Sequence, residues 1–97
     1  MIDHVYICGL KWNIKWVENA EHHGRCFVDE RLIVVENNEH EGIRAETLWH
    51  EIKHAIWAAM DLREKEKEEN VVTRMAFGEI TVLSDPRNRM LVSLLTG

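Results

Sequence analysis

A 97-residue chain with 45% apolar and 30% charged residues has the composition of one soluble globular domain with a modest core. Its net charge of −5 argues against binding nucleic-acid backbone, which needs a basic face. No apolar run approaches the ~20 residues that span a bilayer, and Met1 to Tyr6 lacks a basic, then apolar, leader. No membrane partner and a cytoplasmic address are therefore expected.

The first third reads as β. His4 to Cys8 is rich in β-branched and aromatic residues, and Gly9 offers a turn after it. Lys11 to Glu18 alternates, with Trp12, Ile14 and Trp16 on one face and Lys11, Asn13 and Lys15 on the other. Asn19 to Gly24 is a polar loop carrying His22 and His23. Arg25 to Val28 resumes a strand, Asp29 to Arg31 turns, and Leu32 to Val35 is a short apolar strand. Two successive hairpins predict a small antiparallel sheet of three to four strands, which needs a helical layer to be stable. Cys8 and Cys26 are too few for a disulfide framework and form no C-x-x-C pair, so both are expected as small buried hydrophobes.

After the acidic crossing Glu36 to Gly42, a helix is expected from Ile43 or Arg44 to about Asp61. Leu48, Ile52, Ala55, Ile56 and Ala59 form its apolar stripe. The charge run Arg63 to Glu69 reads as a solvated linker or helix start. Val71, Val72, Met75, Ala76, Ile80 and Leu83 then recur at helical spacing, with Gly78 inside the pattern. Ser84-Asp85-Pro86 ends that helix and caps the next, and Met90 to Leu95 is a short closing helix. The expected fold is a single α+β domain over 1–97. A small sheet packs on one long helix, a second helix rich in glutamate at its start, and a short C-terminal helix.

His50-Glu51-Ile52-Lys53-His54 carries the chemistry. Residues four apart on a helix point the same way, so His50 and His54 can hold one zinc ion. Glu51 sits beside them as a general base toward a zinc-activated water. The two histidines border the apolar stripe, which predicts a site beside the core rather than out in solvent. A third ligand is required. The position six after His54 is Met60, so a third histidine on the same helix is excluded. Asp61 would lie about 10 Å up the axis at ~1.5 Å per residue. That leaves Glu64, Glu66, Glu68 and Glu69, and periodicity does not separate Glu69 from Glu68.

Glu46-Thr47-Leu48-Trp49-His50-Glu51-Ile52-Lys53-His54-Ala55 is close to a T-L-x-H-E-x-x-H-A pattern. Glu69-Asn70-Val71-Val72-Thr73-Arg74-Met75-Ala76 is close to E-x-x-A-[N/D]-x-F-A, with Val72, Thr73 and Met75 departing from it. With the β-rich start that includes Gly24 and Asp29, these stretches resemble the small zincin peptidases of phages and mobile elements, the ImmA/IrrE-like, minigluzincin type. The likeness covers roughly residues 24 to 85. It implies a zinc metalloendopeptidase of peptide or protein substrates. His50, His54 and Glu69 would be ligands to one Zn2+, with Glu68 as second choice, and Glu51 the base. His22, His23, His40 and Tyr6 are candidate oxyanion donors by type alone. The tryptophans are expected in the core, one of them free to line a substrate groove, and Lys53 is expected to serve solubility. The alternatives are a non-catalytic module stapled by zinc and an acidic interaction protein without metal.

Overall fold

The computed structural model of the protein describes residues 1–18, 21–38, 40–62 and 68–97, with the backbone alone for Glu68. Four strands come first: β1 (His4–Ile7), β2 (Leu10–Val17), β3 (Gly24–Phe27) and β4 (Leu32–Glu36). Helices α1 (Glu41–Ala59) and α2 (Glu68–Ser84) follow, then a 3-10 turn (Pro86–Asn88) and α3 (Arg89–Thr96). The fold is α+β, and among the described residues no helix is long and apolar enough to cross a membrane.

The β2 alternation decides which face of the sheet meets the helices. Trp12 and Ile14 are 3% and 5% exposed, while Lys11, Asn13 and Lys15 face solvent. Cys8 and Gly9 form the two-residue β1–β2 turn, both at positive φ (50° and 81°), a geometry that matches the twist of a hairpin. Cys8 is therefore exposed in a turn instead of buried in a strand, whereas Cys26 is half-buried in β3.

The sheet order is β1-β2-β4-β3, and its central pair departs from the expected antiparallel arrangement. β2 and β4 run parallel, from Asn13 opposite Leu32 to Val17 opposite Glu36, while both outer pairs are antiparallel. The strands alternate in direction along the chain, so β4 in place of β3 beside β2 brings together two strands that run the same way. β3, with Gly24 and the exposed Arg25, tolerates the edge.

α1 starts earlier than its apolar stripe suggests. His40 is its N-cap, and Glu41 in the first turn suits the positive end of the helix dipole. Leu48, Ile52, Ala55 and Ile56 are fully buried against the sheet, but Ala59, at the last turn, is exposed. α2 meets α1 through a face other than the expected one. A Cβ on Gly78 would stand 2.4 Å from Ile56 Cγ2, so the absent side chain allows the helices to touch there. Val82, one turn on, is fully buried. Val72, Ile80 and Leu83 of the expected stripe are instead 60%, 63% and 42% exposed. The Arg74 guanidinium donates to the Met60 carbonyl and fixes α2 to the end of α1.

One buried polar residue ties the last helices to the sheet. Asn88 is 2% exposed; its amide donates to the Tyr6 and Val82 carbonyls and accepts from the Tyr6 N–H, each at 2.8 Å. The Arg87 guanidinium lies 3.8 Å over the Tyr6 ring, held by Asp85, which also caps the 3-10 turn. The outer edge of β1 is thereby occupied.

Candidate metal centre

Helical spacing brings His50 and His54 together as expected. Their Nε2 atoms are 3.2 Å apart and their ring centroids 4.9 Å apart. Two nitrogens at ~2.0–2.1 Å from a tetrahedral zinc ion lie about 3.4 Å from each other. The same 3.2 Å is the length of a hydrogen bond between the two rings, so the separation fits a shared ion without requiring one. Both rings are exposed on the outer side of α1, so the site is open to solvent rather than set into the border of the core.

Glu51 is the opposite case, with 7% exposure on the sheet side of the helix. β3 presses against it. A Cβ built on Gly24 would stand 2.8 Å from Glu51 Oε2 and 2.8 Å from Thr47 Cγ2. Only glycine lets the strand pass this close, and no pattern in the sequence marks that contact. Burial first, and the Glu51 charge second, push the Cys26 thiol up to about 11. Without a metal, Cys26 is a protonated thiol at neutral pH.

Two clefts meet at His50. One, of about 480 Å³, is lined by His22, His23, Gly24, Thr47, His50 and Glu51, with Ile43 and Glu46 at its rim. The other, of about 540 Å³, is lined by His50, Lys53, His54, Trp57 and Met75. Trp57 is the tryptophan that lines a cleft beside the histidines, while Trp12 is buried in the core and Trp16 and Trp49 pack against it and line clefts elsewhere. Lys53 is not a free solubilising charge, since its ammonium lies 3.3 Å from Glu79 of α2. Of the donor candidates, His22 and His23 reach the Glu51 cleft. His40 caps α1, and Tyr6 lies under Arg87 on the far edge of the sheet.

Among the described residues, no third His, Cys, Asp or Glu joins His50 and His54 in a group able to hold a metal. Glu69 is exposed in the first turn of α2 and is not assembled with the pair. Glu64 and Glu66 lie outside the described residues, as does the side chain of Glu68. No protein-family model, curated protein or solved structure matches the chain.

Proposed function

We propose that this chain is a zinc-dependent metallopeptidase of the HExxH type, hydrolysing peptide bonds with Glu51 as general base. The observation that carries the reading is the 3.2 Å Nε2–Nε2 separation of His50 and His54, with the buried carboxylate of Glu51 next to them on an open cleft. His50 and His54 would hold the ion, and bound zinc supplies Lewis acidity and a water of lowered pKa. Glu51 would accept a proton from the attacking water and pass it to the leaving amine. Its burial against Gly24 fixes the carboxylate for both transfers.

Strand topology supports an extended substrate. Asn88 fills the outer edge of β1, whereas β3 is the other edge and touches Glu51 through Gly24. A peptide added alongside β3 would pass in front of the base. Gly24→Ala pushes a methyl group into the Glu51 carboxylate. It is expected to lower kcat at least tenfold while zinc content stays at the wild-type level, checked by turnover of an unfolded protein and metal analysis.

The third ligand would come from the start of α2. The resemblance assigns Glu69. Met75, which lines the histidine cleft, stands six residues after Glu69 and about 120° round the helix from it. Zinc stoichiometry of untagged protein separates Glu69 from Glu68. One ion per chain is expected for wild type, and loss in either Glu69→Ala or Glu68→Ala identifies the ligand. Retention in both removes α2 from the site; no zinc in the wild type, with chelators without effect on cleavage, removes the metallopeptidase reading. In the competing reading, zinc only fastens α1 to α2, and no peptide is cut.

A further inference from the structure

The two clefts that meet at His50 differ in chemistry, and that difference bears on substrate choice. On the β3 side, the Asp, Glu, Lys and Arg side chains that line the cleft among the described residues are Glu46 and Glu51, both carboxylates. Glu51 is more than nine-tenths buried, and among the described residues it has no hydrogen-bond or ion-pair partner. His23 also lines it, with its Nδ1 3.2 Å from Glu36 Oε2. Carboxylates suit a ligand that donates hydrogen bonds and carries positive charge. Among the described residues, no Lys or Arg lines this cleft to oppose it.

Across His50 the lining is apolar. Trp57 and Met75 form the wall, and Lys53, the cation there among the described residues, is engaged by Glu79. A cleft of about 540 Å³ has room for any large apolar side chain. Because His50 lines both clefts, a peptide with its scissile bond at the metal pair places one flanking side chain in each.

Resting on the metallopeptidase reading, we infer that the substrates are peptides with Lys or Arg on one side of the scissile bond and a bulky apolar residue on the other. Glu46 is the specificity residue for the basic side chain. Glu51 contributes charge there but is reserved for proton transfer. Trp57 provides the apolar contact.

The test is a set of internally quenched peptides in which Lys, Gln or Glu flanks a Phe or an Ala at the cleavable bond. Zinc-loaded wild type is expected to prefer Lys over Glu by at least tenfold in kcat/KM. The preference should shrink as salt is raised, because charges in an open cleft are screened. Glu46→Gln should flatten the ranking and Glu46→Arg should invert it, which a purely structural role for Glu46 would not do. Trp57→Ala should reduce the preference for Phe over Ala. A preference for Lys over Glu, carried by Glu46, should also appear in dissociation constants measured by calorimetry with Glu51→Gln protein, whose turnover is strongly reduced. A wild type that cleaves all the peptides alike, or an unchanged ranking in Glu46→Arg, overturns the specificity and leaves the peptidase reading standing. Zinc-loaded wild type that neither cleaves nor binds any of them overturns both.

Discussion

Glu51→Gln is expected to keep one zinc ion per chain and to lower peptide turnover on the order of 10³-fold. The amide has the carboxylate's shape, so the contact with Gly24 and Thr47 survives and α1 keeps its packing on β3. What it loses is the ability to take a proton. His50 and His54 point away from the core, so the ion would be held as before. Metal analysis and turnover of an unfolded protein, measured on the same sample, separate the two readings of the site. Zinc retained with activity lost supports hydrolysis through Glu51. Equal activity in wild type and variant excludes Glu51 as the base, and zinc retained with no activity in either favours a structural ion.

Asn88→Ala is expected to cost about 2–4 kcal/mol of stability, read as a lower urea midpoint at unchanged slope. The substitution removes three hydrogen bonds at once and leaves the Tyr6 N–H, the Tyr6 carbonyl and the Val82 carbonyl short of partners. Against the ~5–15 kcal/mol that usually separates folded from unfolded domains, that is a large fraction. It would also uncover the outer edge of β1, so aggregation on partial unfolding is a second expected result. A shift below about 0.5 kcal/mol would mean that water replaces the amide there. Zinc binding should change little, since Asn88 bonds β1 and α2 rather than the histidine helix.

Local spacing was enough for the elements themselves and for the histidine pair. The alternation of Trp12 and Ile14 and the stripe of Leu48, Ile52, Ala55 and Ile56 each face the core as read. His50 and His54 meet because four residues make about one turn of helix. These are short-range consequences of backbone geometry, and every fact they need lies within a few residues.

What depended on chain segments far apart was decided only by packing. Alternation tells which face of a strand is buried but not which strand lies beside it, so β4 sitting parallel to β2 was not readable. The α2 pattern had two apolar sides, and contact through Gly78 and Val82 selected the less apolar one, because only there can α1 come close enough. Gly24 against Glu51, Asn88 across β1, and Trp57 with Met75 over the histidines are likewise meetings of distant residues. The proposed third ligand belongs to the same class. Helical spacing pairs His50 with His54, but which residue of α2 would join them depends on how that helix stands against α1, which no repeat in the sequence encodes.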